Sequence, residues 1–296
     1  MVKMLKISSI LCPVDFSDFS DRAYAYAHSL ARHYESKLFV QHVVPLLPLD
    51  YPYFSFSDAW TEVYRNVNAG AQQRLGELVK SLDSSAVTAE IIIGEGSPSN
   101  GILALAEARG VDLIVMGTHG RQGLDRLTMG SVTEKILRKA SCPVLVISKP
   151  AQGFVAEAKG PDTVHMSRIL FSTDFSEHSG RALRYALSLA MEYNAELTLL
   201  HVLEGASENT QEASQATRRM EESVPAEAHD WCTVKTAVRA GKPYQEIVGA
   251  ALEGQAELIV MGVRGRNALD LAVFGSTTHR VIQLGSCPVL VCGQAG

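Results

Sequence analysis

VDLIVMGTHGR, Val111 to Arg121, and AELIVMGVRGR, Ala256 to Arg266, are one stretch written twice. Each carries the run LIVM, which has no polar alternation and suits a strand buried on both faces. A glycine stops the run, a second glycine follows three positions later, and nine residues further on comes Gly-Ser. The first copy is Gly117, Gly120 and Gly130-Ser131-Val132-Thr133; the second is Gly262, Gly265 and Gly275-Ser276-Thr277-Thr278. Glycine directly after a strand permits positive φ and close backbone approach to a ligand. Gly-Ser opens a helix whose free N–H groups and positive dipole end attract phosphate. The Ser131 and Thr133 hydroxyls would donate to the same anion, and Arg121 and Arg266 either neutralise phosphate charge or lie solvated at the surface. A turn glycine and a serine cap would give the same letters without a ligand. Finding the same spacing twice favours the ligand.

Outward from this stretch the duplication continues. VDFSDFSDRAYAYAHSLA from Val14 resembles TDFSEHSGRALRYALSLA from Thr173, and SCPVLVIS from Ser141 resembles SCPVLVCG from Ser286. Three blocks in the same order, at a period near half the chain, describe a duplicated domain and not a solenoid. Asp15 and Asp174 lie 159 positions apart, as do His42 and His201, whereas Gly117 and Gly262 lie 145 apart. The first half therefore holds 14 extra residues between His42 and Gly117, assigned to the aromatic segment Pro45 to Trp60.

Each half alternates short apolar runs with longer amphipathic ones. Strands are expected at 8–14, 37–44, 87–93, 112–116 and 143–148, with helices at 18–35, 58–82, 97–109 and 131–140. In the second half strands are expected at 168–173, 196–203, 232–239, 257–261 and 288–292. The class is α/β, with parallel strands and right-handed crossovers. The expected units are residues 1–149, a Gly- and Pro-containing linker at 150–166, and residues 167–296. In each, an acid ends the first strand, Asp15 or Asp174. At the switch point of a doubly wound sheet that acid and the glycine bend share one crevice, where a carboxylate accepts hydrogen bonds from a ribose or base; capping of the first helix is its plainer role.

Composition narrows the function. The chain has 296 residues, 46% apolar and 20% charged, with a net charge of -5, which gives no sign of an electrostatic nucleic-acid footprint. The five cysteines form no C-x-x-C pair and read as buried apolar residues of a reducing compartment. No apolar run is long enough to span a bilayer, and the start reads as a first strand and not as a secretion signal, so a cytoplasmic protein is expected. Walker and G-x-G-x-x-G phosphate motifs are absent, as is a nucleophile elbow. His28 and His33 read as solvated, and His42 and His201 as strand-packing residues. The aromatic insert reads as a cover over the first half, with a partner surface as the alternative.

These blocks together resemble the universal stress protein family in its ATP-binding branch, over nearly the whole chain and twice. The resemblance rests on VDFS/TDFS, the HV pair ending strand two, the IVMG strand, G-x2-G-x9-G-S and the CPVLV strand. It implies a Rossmann-like sheet of five parallel strands in the order 3-2-1-4-5 in each domain, with the two domains paired as an internal pseudo-dimer through their last strands. It implies ATP as ligand: Asp15 at the ribose, Val43 at the adenine edge, Pro13 and Val14 lining the pocket, and Met116 and Gly117 near ribose or base. His119 and Gly120 fall near the phosphates and Gly130, Ser131, Val132 and Thr133 form their cradle. The matching positions are Thr173, Asp174, Val202, Met261, Gly262, Gly265, Gly275, Ser276, Thr277 and Thr278. Pro13 becomes Ser172, Val132 becomes Thr277 and Thr118-His119 becomes Val263-Arg264, so the second site is expected to bind more weakly or to prefer a different number of phosphates. The implied role is a nucleotide-dependent stress-response regulator with at most slow ATP hydrolysis. An adenylyl-transferase-like enzyme and a scaffold with empty pockets are the alternatives. Whether Mg2+ accompanies the phosphates, whether two chains form a homodimer and which protein is the partner stay open.

Overall fold

The computed structural model describes residues 6–45, 58–82, 87–118, 129–148, 164–205, 211–263 and 275–293, with side chains of the second helix from residue 62 onward. In the first half the elements are β1 (Ser9–Pro13), α1 (Asp18–His33), β2 (Lys37–Val44), α2 (Asp58–Ser81), β3 (Ala89–Glu95), α3 (Pro98–Ala108), β4 (Leu113–Gly117), α4 (Ser131–Lys139) and β5 (Val144–Ile147). The second half repeats them as β6 (Arg168–Thr173), α5 (Glu177–Tyr193), β7 (Glu196–Leu203), α6 (Gln211–Ser223), β8 (Thr233–Ala240), α7 (Pro243–Glu253), β9 (Leu258–Gly262), α8 (Ser276–Leu284) and β10 (Val289–Cys292). A 3-10 turn, Ala226–Asp230, precedes β8. Every expected strand and helix is present, its ends within two residues of those read from the pattern.

Both halves have the order 3-2-1-4-5, but they do not form two separate sheets. One ten-stranded sheet runs β3-β2-β1-β4-β5-β10-β9-β6-β7-β8. Pairing is parallel within each half and antiparallel across the centre, where Val289, Leu290 and Val291 face Val146, Leu145 and Val144. The merger follows from edge chemistry. β5 and β10 are buried at all four positions, and an apolar strand edge left open would recruit another strand.

The central strands serve two cores at once. On β1, Ile10 and Cys12 face the layer built by α1, α2, α5 and α6, while Leu11 faces the layer built by α3, α4, α7 and α8. On β4, Leu113 and Val115 join the first core and Ile114 and Met116 the second. That two-sided burial is why LIVM shows no alternation. Each core crosses the central seam, so the sheet and its two helical layers form one body. Truncating a fully buried residue such as Ile114 to Ala would cost about 2–5 kcal/mol.

α1 and α5 form for stated reasons. Ser17 caps α1 in a capping box with Ser20, and Ser176 caps α5 through the Ser179 amide. Ala23, Tyr24, Ala27, Leu30 and Ala31 recur at helical spacing and are buried. His28 shares that inner face and is 1% exposed, 6.1 Å from the Tyr24 ring, so the expectation of a solvated side chain fails for it. His33 points to the seam instead. Its ring stacks on Tyr193 at 4.8 Å and its Nε2 lies 3.3 Å from Glu192 Oε1. The five cysteines are all buried free thiols, and desolvation pushes Cys142 and Cys287 up to about 12. No helix among the described residues is long and apolar enough to cross a membrane. Of the linker, Val164 to Met166 is described and Met166 is buried in the first core; 150–163 and most of the aromatic insert, 46–57, lie outside the described residues.

Candidate functional site

In each half the strand order reverses at the first and fourth strands, and ligands of such sheets bind at their carboxyl ends there. Pro13 pairs with Gln41 and Leu11 with Ile114. Continuing those registers sets Asp15 level with Val43 on one side and Thr118 on the other. In the second half Thr173 pairs with His201 and Phe171 with Val260, which sets Asp174 level with Val202 and Val263. An acid therefore stands in the middle of each row, flanked by the ends of the neighbouring strands.

Val43 fits the role of a backbone reader. The Gln41 carbonyl accepts from Val14 N on the β1 side at 2.8 Å, and the Val44 carbonyl accepts from Gly96 N on the β3 side at 2.9 Å. Backbone groups of successive residues point to opposite sides of a strand. The N–H and C=O of Val43 thus face β1, but β1 has already ended at Pro13. In the second half β6 runs one residue further and pairs Thr173 with His201, so on the β6 side the carbonyl of Val202, and not its N–H, lies past the strand end; Leu203 accepts from Gly241 N at 3.0 Å. Pro13 and Val14 form the end of β1 beside this gap, and Met116 is buried one residue before Gly117.

The glycine bend carries two corrections. A Cβ on Gly117 would lie 2.8 Å from Phe19 Cβ and 2.9 Å from the Phe19 carbonyl carbon; one on Gly262 would lie 2.9 Å from the His178 carbonyl carbon and 3.0 Å from Ser179 N. Neither glycine has positive φ. Both are small because the first helix crosses the end of the fourth strand at backbone contact, a packing demand present without any ligand. The second correction concerns Thr133. Its Oγ1 donates to the Gly117 carbonyl at 3.0 Å, and Thr278 Oγ1 donates to the Gly262 carbonyl at 3.1 Å. Those hydroxyl protons are engaged by the bend itself.

The start of α4 keeps its expected character. Gly130 is the N-cap with φ -63°, well within reach of any residue, and no side chain caps the helix; Gly275 and α8 match it. Gly130 N–H bonds to the Thr118 carbonyl at 2.9 Å and Gly275 N–H to the Val263 carbonyl at 3.3 Å. The chain that leaves the strand at Thr118 thus returns to it at Gly130. Ser131, Val132 and Thr133 begin α4 as Ser276, Thr277 and Thr278 begin α8, with their amides at the positive end of the helix. α1 and α5, capped by serines, lack that opening. His119, Gly120, Arg121, Gly265 and Arg266 lie outside the described residues.

The acid is itself held. Asp15 Oδ1 accepts from Ser17 N at 3.1 Å and from Ser17 Oγ at 2.6 Å; Asp174 Oδ1 accepts from Ser176 N at 3.0 Å. Asp21, one turn into α1, is raised above the usual carboxylate range, first by burial and then by Asp18 and Asp15, with Arg74 opposing. Between acid and serine sits a residue the sequence did not single out: Phe16 has φ 62° and Phe175 φ 60°. His42 and His201 pack on these rings and donate Nδ1–H to the Val14 and Thr173 carbonyls, at 2.7 Å each. That agrees with the strand-packing role expected of both histidines. Among the described residues no cluster of three or more His, Cys, Asp or Glu could hold a metal ion.

Fold and site define a class: a duplicated, doubly wound α/β protein with matched acids, glycine bends and uncapped helix starts at its two switch points. A family model described as the universal stress protein family matches residues 6–148 and again 166–293. The chain belongs to that family. A universal stress protein of Methanocaldococcus jannaschii is 33% identical over 141 residues, 48% of this chain and 82% of its own. One of Mycobacterium tuberculosis is 25% identical over 308 aligned positions that span both chains in full. A solved universal stress protein from Archaeoglobus fulgidus superposes with a TM-score of 0.74 at 25% identity, over 97% of this chain and 96% of that one.

Proposed function

We propose that the chain binds ATP at the carboxyl edge of each half and acts in the cytoplasm as a nucleotide-dependent stress-response regulator, with at most slow hydrolysis. One observation carries the reading. In both halves a helix without a side-chain cap begins where the chain returns to the end of the fourth strand, and the register sets that strand end level with a carboxylate held by a serine amide. Uncapped amides and a helix dipole suit the phosphates; the carboxylate suits the ribose hydroxyls; the Val43 backbone and the Val202 carbonyl, past the end of the neighbouring strand, suit the adenine edge. The residues proposed to hold the nucleotide are Pro13, Val14, Asp15, Val43, Met116 and Gly117, with Gly130 to Thr133 as cradle and His119, Gly120 and Arg121 at the phosphates. Thr173, Asp174, Val202, Met261, Gly262, Gly265, Arg266 and Gly275 to Thr278 take these places in the second half.

Thr133 and Thr278 contribute amides, since their hydroxyls brace the bend. A magnesium ion travelling with the nucleotide would be held by phosphate oxygens and water. The test is to denature gently purified protein and quantify the nucleotide released by chromatography. Up to two ATP per chain is the expected result. No nucleotide as purified, and none retained after incubation with millimolar ATP, would refute the reading.

A further inference from the structure

Phe16 and Phe175 occupy a backbone region that costs a bulky residue energy and that persists only where the surroundings enforce it. The enforcement is visible, and it is the same twice. Arg74 of α2 places its guanidinium 4.0 Å from the Phe16 ring centroid, and the His42 ring lies 4.6 Å away. Arg219 of α6 sits 4.0 Å from the Phe175 centroid, and His201 4.5 Å away. Each phenyl ring thus contacts a cation from a helix and an imidazole from a strand. The imidazole is fixed in turn by its bond to the carbonyl of the residue just before the acid.

The left-handed turn has one local consequence. It folds the serine that follows back onto the acid, so that Ser17 N and Oγ reach Asp15 Oδ1 and Ser176 N reaches Asp174 Oδ1. A glycine or asparagine would adopt that φ with less strain, yet both halves keep phenylalanine. Each ring is half-buried against the first core, which accounts for an apolar side chain there but not for its being held at positive φ. A carboxylate that must be aimed before a ligand arrives gains a fixed support.

We propose that Phe16 and Phe175, each held by the Arg74–His42 or Arg219–His201 contacts, are positioning residues that aim Asp15 and Asp174 at the ligand. The proposal rests on the nucleotide reading above. It assigns the support to the sugar-binding end of the site, so the loss on breaking it is the same for ATP and for adenosine, which has no phosphates.

The test uses the full chain, titrated calorimetrically with ATP and with adenosine. The Phe16→Gly/Phe175→Gly variant should bind both about tenfold more weakly, while Phe16→Tyr/Phe175→Tyr, which keeps the ring face, restores binding. In an Asp15→Asn/Asp174→Asn background the glycine changes should have no further effect, because they act through the acids. Wild-type affinity in the glycine variant, or a loss fully additive with the Asp changes, would overturn the proposal. If the glycine variant melts early, Arg74→Met/Arg219→Met on exposed helix faces decides the matter. A loss of about threefold for ATP and adenosine alike supports the clamp, and unchanged adenosine binding overturns it. A wild type that binds neither compound overturns the nucleotide reading and the clamp together; a wild type that binds while the variants are unaffected overturns the clamp alone.

Discussion

The two halves agree where the chain supports itself and at most of the proposed ligand positions, and differ at a few beside them. Gly117 and Gly262, Thr133 and Thr278, Phe16 and Phe175, and Arg74 and Arg219 make the same contacts at nearly the same distances. Several positions among and beside them have diverged. Pro13 is matched by Ser172, Thr118 by Val263 and Val132 by Thr277. Below Val43, Gln41 is 4% exposed and donates Nε2–H to the Gly101 carbonyl at 3.3 Å, where the second half has the fully buried Leu200. In α1, Asp21 is matched by Gly180. The halves are therefore equivalent as scaffolds and unequal as pockets. The matching also narrows the insertion: His42 and His201 are 159 apart but Arg74 and Arg219 only 145, so the extra 14 residues fall between His42 and Arg74.

The largest expected effect falls on what the halves share. Gly117→Ala and Gly262→Ala each force a Cβ into the backbone of the first helix, which should destabilise the chain by about 3 kcal/mol in chemical denaturation. Two similar losses support a common packing demand. Stability unchanged in either variant, with only nucleotide binding lost, would break the equivalence.

Next come the acids. Asp15→Asn and Asp174→Asn remove charge from a hydrogen-bonded site while keeping its shape, and each should weaken ATP binding by about 2 kcal/mol at its own pocket. Titration of the two variants should leave one residual site apiece, the stronger one surviving in Asp174→Asn. Identical residual affinities would show that the diverged positions do not matter.

Thr133→Val and Thr278→Val test the brace between strand and helix. Each should cost about 1 kcal/mol of stability through the lost bond to the glycine carbonyl. A loss of ATP affinity with stability intact would return these hydroxyls to the ligand.

The smallest effect belongs to the first half alone. Asp21 has a raised folded-state pKa, so its charged form is disfavoured by folding, and its contribution to stability falls as pH rises through the carboxylate range. Asp21→Asn should therefore stabilise the chain at pH 7, within about 0.5 kcal/mol for this exposed position, and the gain should vanish near pH 3. A gain that grows on acidification would reverse the assignment.

Much of this was legible in the letters. LIVM followed by glycine marks a strand buried on both faces and its end, and repetition of the spacing located both bends. The family resemblance supplied the order 3-2-1-4-5 and the pairing of the last strands; the joining of both halves into one continuous sheet comes from the structure. Other features leave no such trace. Phenylalanine at positive φ has the same letter as phenylalanine in a strand, so the Phe16 turn was invisible. A glycine needed for helix contact reads like one needed for a ligand, which is how Gly117 acquired too simple a role. The Thr133 hydroxyl had two acceptors to choose from, and only the fold decides. The burial of His28 is not legible in the letters, because which face of α1, shared with Tyr24 and Ala31, turns inward depends on how the helix is phased against the sheet.

The central claim is that the first amides of α4 and α8 receive the phosphates. Amide hydrogen exchange at Ser131, Val132, Ser276 and Thr277, followed with and without saturating ATP, tests it directly. Protection of these amides by ATP, weaker with adenosine, is the expected result. ATP that binds while they exchange at an unchanged rate would contradict it.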